Sequence, residues 1–129
     1  MELYIGGFSQ GKLNFVKSLY PNYKVFAEDD FEKILSLKNE KFIWNNFHLA
    51  IKNLLSSKIQ SLKIQNDLSE IILNNPEIII ISCEIGSGII PLEKDERFFR
   101  EFTGRLLCEI AKKSQKVVRI ICGLSQRLK

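Results

Sequence analysis

The stretch Leu3-Tyr4-Ile5-Gly6-Gly7-Phe8-Ser9-Gln10-Gly11-Lys12-Leu13 decides the fold. Its first three residues are apolar, as in a buried strand, and the glycines that follow end this strand in a tight loop. From residue 11 to residue 19 apolar residues return at nearly helical spacing, and Pro21 closes the segment. A strand, a glycine-rich loop and a helix in this order are the setting that a phosphate-binding loop needs.

The chemistry of this loop follows from its glycines and its lysine. Glycines let the backbone curl so that successive N–H groups point at phosphate oxygens, and the helix N-terminus adds a partial positive charge. The spacing G-x-x-x-x-G-K is satisfied by Gly6, Gly11 and Lys12, which places Lys12 as a catalytic cation at the β- and γ-phosphates. The alternative is a glycine-rich turn that binds nothing. The predicted residues that bind ATP or GTP form the whole loop: Gly6, Gly7, Phe8, Ser9, Gln10, Gly11, Lys12 and Leu13.

The residue after the lysine argues against ordinary metal binding. Position 13 is leucine, where serine or threonine normally supplies a hydroxyl to Mg²⁺. Leucine has no oxygen to offer. We therefore predict no metal-ligating residue and expect that Mg²⁺ is not held in the usual way.

The remaining chain alternates between predicted strands and helices. Strands are predicted at residues 24–27, 42–44, 78–81 and 117–122. Helices are predicted after Asp29 or Asp30 and at 95–113, with one long helix or two consecutive ones at 47–73. This alternation predicts an α/β three-layer sandwich, with a mostly parallel sheet of about five strands and helices on both faces.

Size and composition limit the class of protein. A chain of 129 residues fits a single domain, residues 1–129. The net charge of +4 is small, and no aromatic residues alternate with the basic ones, so a nucleic-acid partner is not expected. No signal peptide and no run of ~18 apolar residues are found, which predicts a cytoplasmic protein without a membrane partner. The three cysteines are interpreted as reduced core residues.

A second candidate segment, residues 84–91, follows the predicted strand at 78–81. Ligands bind at the carboxyl ends of strands in open α/β sheets, so Glu84 is placed to touch a metal, a water or a ribose. Alternatively, the segment is a glycine turn with a solvated glutamate.

Two segments near the C-terminus carry a family resemblance. Glu84-Ile85-Gly86-Ser87-Gly88-Ile89-Ile90-Pro91 resembles the E-V-G-x-G-I-V-P motif of the bifunctional adenosylcobinamide kinase and adenosylcobinamide-phosphate guanylyltransferase family. Arg97-Phe98-Phe99-Arg100-Glu101-Phe102-Thr103-Gly104-Arg105 resembles its R-x-F-R-D-x-x-G-R motif, and the N-terminal loop resembles its G-G-x-R-S-G-K-S. The resemblance implies a P-loop NTPase-like fold, an oligomer that is often a trimer, and nucleotide and corrinoid partners. It also implies phosphorylation of the terminal hydroxyl of adenosylcobinamide, followed by attachment of GMP.

The chain departs from this family pattern at several positions. Ser9, Gln10 and Leu13 stand where the family loop has Arg, Ser and Ser, and Asn45 stands where a Walker-B-like L-L-E-C stretch has its acid. The H-x-x-x-R and R-P-x-x-W segments of the guanylylated histidine are missing. His48, the only histidine, is more simply explained as a structural residue.

Two hypotheses remain open. In the first, the protein still phosphorylates cobinamide, with Lys12 on the nucleotide and Glu84 acting through a metal-bound water. In the second, it is a catalytically inactive homologue that serves as a binding or scaffold protein. Under both hypotheses the guanylyltransferase half is expected to be lost.

Overall fold

The fold is an open sheet with helices on both faces, seen in a computed structural model that describes residues 1–85 and 92–129. In chain order the elements are β1 (Glu2–Gly6), α1 (Lys12–Leu19), β2 (Lys24–Phe26), α2 (Phe31–Leu35), β3 (Phe42–Trp44), α3 (Phe47–Ser56), α4 (Ser61–Asn74), β4 (Ile79–Cys83), α5 (Lys94–Lys113), β5 (Lys116–Ile121) and β6 (Leu124–Arg127).

The sheet has the strand order β2-β3-β4-β1-β5-β6, and its first five strands are parallel. The central strand β1 pairs with β4 and β5, so that Leu3 lies beside Ile80 and Val117. Because all five parallel strands end at the same edge, the glycine loop after β1 lies at that edge together with the ends of β3 and β4. The predicted α/β class with a mostly parallel sheet is confirmed.

One strand was missed by the sequence analysis, which predicted about five strands. Strand β6 pairs antiparallel with β5 and is exposed along its whole length. Its four residues show no alternation of apolar and polar side chains that could have revealed it. The turn before it has left-handed φ angles of 51° at Cys122 and 75° at Gly123, the conformation that tight hairpins favour.

The two faces of the sheet are covered unequally. Helices α2, α3, α4 and α5 pack on the face that carries Leu3, Trp44 and Ile80. Helix α1 packs on the other face, against Tyr4 and Ile81. The third layer of the predicted sandwich is therefore one short helix, which begins at the glycine loop.

The long helical pattern at residues 47–73 forms two helices, the second of the two predicted possibilities. Lys58 has a left-handed φ of 62°, which a continuous helix does not allow. Asp30 lies at the N-cap of α2, but its carboxylate accepts a hydrogen bond from Ala27 N at 2.8 Å and caps no helical N–H.

The cysteines were predicted to be reduced core residues, and their burial was predicted wrongly. All three thiols are free, but Cys83 is half-buried and Cys108 and Cys122 are exposed. Their apolar sequence neighbours misled the prediction, because Cys122 lies in the β5–β6 turn and Cys108 on the outer side of α5. None of the helices in the described part of the chain is long and apolar enough to cross a membrane.

Candidate functional site

Two positions of the glycine loop, Gly6 and Gly11, require glycine. A Cβ atom on Gly6 would collide with the carbonyl oxygen of Ile120 on the neighbouring strand β5. Gly11 has a φ of 82°, in the left-handed region that glycine occupies without strain. Ser9 also has a left-handed φ, 56°, which costs free energy for a residue with a Cβ. The sharp reversal between β1 and α1 therefore depends on both glycines.

The side chain of Lys12 folds back across this loop. Its Nζ donates a hydrogen bond to the carbonyl oxygen of Gly7 at 2.7 Å and lies 3.4 Å from Sγ of Cys83, at the end of β4. Lys12 belongs to the first turn of α1, so its ammonium group and the helix N-terminus place positive charge on the same side of the loop.

Several backbone N–H groups around Lys12 have no hydrogen-bond partner in the part of the chain that the structure describes. In residues 1–85 and 92–129, no acceptor bonds the N–H groups of Phe8, Ser9 and Gly11 in the loop, or those of Lys12, Leu13 and Asn14 in the first helical turn. Such N–H groups are bonded by water, by caps or by a ligand. Together with Lys12 they form a surface rich in hydrogen-bond donors, which suits an anion.

Gln10 ties the loop to the far hairpin of the sheet. Its backbone oxygen accepts a hydrogen bond from Gly123 N at 2.9 Å, and its side-chain Oε1 accepts one from Cys122 N at 2.7 Å. The β5–β6 turn thus supports the loop from outside. Phe8, by contrast, is 84% exposed and touches no core residue cluster.

A shallow cavity of about 200 Å³ opens beside the loop. Its lining consists of polar and glycine residues with one leucine: Ser9, Gln10, Gly11, Lys12, Leu13, Asn14, Asn45 and Asn46. In the usual arrangement a hydroxyl and a carboxylate ligate Mg²⁺, and the family resemblance assigns these two positions to Leu13 and Asn45. The residues present do not fit that arrangement, because one has no oxygen and the other is uncharged.

His48 lies close to Lys12 and is partly buried. Its Nδ1 accepts a hydrogen bond from Cys83 N at 3.3 Å. Burial lowers the pKa of His48 below its ordinary value of 6.5, the charge of Lys12 lowers it further, and the charge of Glu28 opposes both effects. The imidazole is therefore mainly neutral at pH 7, and its Nδ1 bonds the backbone at the end of β4.

Glu84 is not brought together with Lys12. Its carboxylate forms an ion pair with Arg119 of β5. Oε2 accepts a hydrogen bond from Nη2 at 3.2 Å. Oε1 lies 2.5 Å from Nε, but the angle does not suit a hydrogen bond. Successive side chains of a strand point to opposite faces, and Cys83 points to Lys12. Glu84 therefore faces the side of the sheet that α5 covers. The rest of the segment, residues 86–91, lies outside the described residues.

Two carboxylates that the sequence analysis left out of the site lie after β2. Glu28 Oε2 accepts a hydrogen bond from Asn46 Nδ2 at 3.1 Å, and Asp29 Oδ1 accepts one from Asn53 Nδ2 at 3.4 Å. The acidic run Glu28-Asp29-Asp30 was interpreted only as a helix start. Its position at the carboxyl end of a predicted strand was the signal that could have placed it at the site.

The fold and this loop define the class of the protein. A mostly parallel sheet with helices on both faces, in which a glycine loop joins the central strand to a helix, is a P-loop NTPase-like fold. A family model described as cobinamide kinase / cobinamide phosphate guanyltransferase matches residues 20–128, and the chain belongs to this family. None of the curated proteins matches the chain. The family match begins at residue 20, after the glycine loop, and gives no information on the loop. Any role of the loop has to be supported by its own geometry.

Proposed function

We propose that the protein binds a nucleoside triphosphate, ATP or GTP, through the glycine loop. The support is the row of N–H groups at residues 8, 9 and 11–14 that have no acceptor in the described part of the chain, next to the ammonium group of Lys12. An anion with several oxygens satisfies such donors at once, and a polyphosphate has the length to reach both the loop and the helix N-terminus. Lys12 would exchange the carbonyl oxygen of Gly7 for a phosphate oxygen.

We propose further that the guanylyltransferase half of the family activity is lost and that phosphoryl transfer is weak or absent. His48 is the only imidazole of the sequence, and its Nδ1 accepts a hydrogen bond from Cys83 N. Leu13 and Asn45 cannot ligate Mg²⁺ in the usual way. Since a metal normally neutralises the charge that develops during transfer, their presence argues for binding over catalysis. Glu84, which pairs with Arg119, would then stabilise the fold more than it would assist phosphoryl transfer.

The alternative function is an inactive homologue that acts as a binding or scaffold protein, in the cytoplasm and as an oligomer. Its support is the same pair of substitutions, together with exposed apolar side chains such as Leu73 and Leu124, which are 81% and 74% exposed. The family resemblance makes a trimer the expected assembly and a corrinoid a second expected ligand.

Titration calorimetry with ATP and GTP tests the proposal. We expect the wild type to bind a nucleotide and Lys12→Ala to bind it at least about tenfold more weakly, because a charge-assisted hydrogen bond to phosphate is lost. The matched control is Lys17→Ala, an exposed lysine in the last turn of the same helix. Its affinity should stay near that of the wild type.

Three outcomes separate the hypotheses. Nucleotide binding that needs Lys12, with turnover of cobinamide, would establish the kinase. Binding that needs Lys12 without turnover would establish a nucleotide-binding homologue. Absence of binding of both nucleotides would overturn the proposal and leave the scaffold function.

A further inference from the structure

Strand β6 forms a free lateral edge of the sheet. It is the last strand in the sheet order, and its four residues are all exposed. An edge strand offers unpaired N–H and C=O groups to another strand, and proteins usually block such edges with proline, charged side chains or a covering loop. Strand β6 contains no proline, and Arg127 is its only charged residue. This edge is therefore open to pairing with a further strand.

The alternation of hydrogen bonds determines which residues of β6 face the open edge. In an antiparallel pair every second residue bonds the neighbouring strand. Leu128 N donates to Val117 O of β5 at 2.8 Å, so the even-numbered residues of β6 also bond β5. Lys129 N bonds the same oxygen, and this bulge ends the regular ladder. The N–H and C=O groups of Ser125 and Arg127 therefore point outward.

The apolar side chains of this edge lie on one face of the sheet. Leu124 pairs with Ile121 across the β5–β6 turn, and directly paired residues share a face. Leu128 follows Leu124 by four residues, which places it on the same face. The exposed fractions of Leu124, Leu128 and Ile121 are 74%, 53% and 42%. An exposed apolar patch beside an open strand edge is typical of an interaction surface.

A second copy of β6 complements this edge in one particular register. If two β6 strands run antiparallel across a two-fold axis at Gln126, Ser125 of each copy lies opposite Arg127 of the other, and the two exchange N–H···O=C bonds. Leu124 then lies opposite Leu128 of the second copy. An axis at Arg127 would place two arginines opposite each other, which destabilises a sheet, and an axis at Ser125 would separate the leucines.

We propose that two copies of this chain associate through β6 in the register centred on Gln126, which joins their two sheets into one. Two-fold contacts in which the same surface is used on both chains are the commonest kind in homo-oligomers. The contact leaves no strand edge for a third chain, so a trimer would have to form through a different surface. The proposal does not depend on nucleotide binding.

Sedimentation equilibrium of the full chain without nucleotide tests the proposal, because it measures the number of chains per particle. At roughly 0.1 mM we expect an even number of chains: two, or six if a trimer also forms through another surface. Ser125→Pro removes an N–H group that faces solvent in the single chain, and proline is tolerated at such edge positions. The particle mass of Ser125→Pro should be half that of the wild type.

Two further variants at the same position separate the contact from effects on folding. Ser125→Ala keeps the backbone N–H and should keep the wild-type mass. Ser125→Arg also keeps the N–H but places arginines opposite each other across the contact, so its mass should be halved as well. Circular dichroism checks that each variant is folded, and Ser125→Arg decides the outcome if the proline variant does not fold.

The results that overturn the proposal are distinct. A wild type with the mass of one chain would overturn it and leave the edge of β6 to a strand of another protein. A mass of three chains would overturn it in favour of a three-fold assembly. An even number of chains that both Ser125→Pro and Ser125→Arg leave unchanged would show that the contact lies elsewhere.

Discussion

The two edges of the sheet differ in how completely their polar groups are bonded. At the edge where the parallel strands begin, the Met1 amino group donates to Pro76 O at 2.6 Å, and the two oxygens of Glu2 accept hydrogen bonds from Tyr4 and Tyr20, each at 2.7 Å. At the edge where the strands end, loop N–H groups and the Asn46 oxygen have no partner among the described residues. The first edge is closed by hydrogen bonds, whereas the second leaves polar groups without a partner among the described residues, which fits the proposed ligand site.

Asn75 is the clearest example at the first edge. It is fully buried, and its side chain accepts from Glu40 N and donates to Leu37 O and Ile71 O, all at 3.0 Å. One amide thus joins the end of α4 to the segments before β3. If the comparison of the two edges is right, substitution of Asn75 lowers stability and leaves nucleotide affinity unchanged, whereas substitutions in the glycine loop lower nucleotide affinity.

The largest effect is expected for Asn75→Ala. Three hydrogen bonds of a fully buried side chain are lost, so the free energy of unfolding should fall by about 3 kcal/mol. Urea unfolding measures this loss, and the nucleotide affinity of the folded variant should be unchanged. The control is the neighbouring Asn74→Ala, because Asn74 bonds Asn39 through its backbone and not its side chain. Equal destabilisation by both variants would contradict the role given to Asn75.

The comparison also shows what could be predicted from the sequence. The apolar runs of β1 and β4, the glycines at 6 and 11 and the helical spacing of α5 indicated a mostly parallel α/β sheet, and the glycine loop was placed correctly between β1 and α1. These features are local: apolar residues mark the strands and the helix by their spacing, and glycines mark the turns. Strand β6 has no such pattern, because both of its faces are exposed.

The composition of the site was less predictable than the position of the loop. Glu28, Asn46, Gln10 and Cys122 are distant in sequence, and only the strand order brings them to one edge. The pairing of Glu84 with Arg119 likewise depends on which faces of β4 and β5 their side chains occupy. Sequence spacing gives no information on such contacts across strands.

A smaller effect is expected for Gln10→Ala, which changes the edge where the parallel strands end. Without Oε1 the loop loses its hydrogen bond to Cys122 N, and ordering the loop around a phosphate then costs more free energy. Nucleotide affinity should fall about fivefold, with a loss of stability of about 1 kcal/mol or less. Calorimetry and urea unfolding give the two values.

The variant Gln10→Glu separates support of the loop from charge. Its carboxylate can still accept from Cys122 N, so stability should be retained, while repulsion of phosphate should weaken binding in a salt-dependent way. Unchanged affinity in Gln10→Ala would show that the side-chain contact of Gln10 with Cys122 N does not support nucleotide binding.

The smallest effect concerns Tyr20 and alkaline pH. Burial and the hydrogen bond to Glu2 raise the pKa of Tyr20 from 10.0 to about 12, and they raise the pKa of Tyr4 as well. A raised pKa favours the protonated form in the folded state. This contribution to stability is complete below pH 10 and is lost as the pH rises towards 12.

Tyr20→Phe removes one of these groups. The variant should be less stable than the wild type at pH 9 by roughly 1 kcal/mol, and the difference should shrink as the pH rises through 10 to 12. Unfolding in urea at several pH values measures it. A difference that stays constant over this range would contradict the protonated Tyr20–Glu2 contact.

The most direct test of the nucleotide site is an NMR titration of the ¹⁵N-labelled protein with ATP, monitoring individual backbone amides. The account predicts that the amide protons of residues 8, 9 and 11–14 shift downfield as they bond phosphate oxygens, that the amides near Glu2 and Asn75 do not move, and that Lys12→Ala suppresses the change. Shifts confined to other parts of the sheet, or loop amides that stay unchanged at saturating ATP, would contradict it.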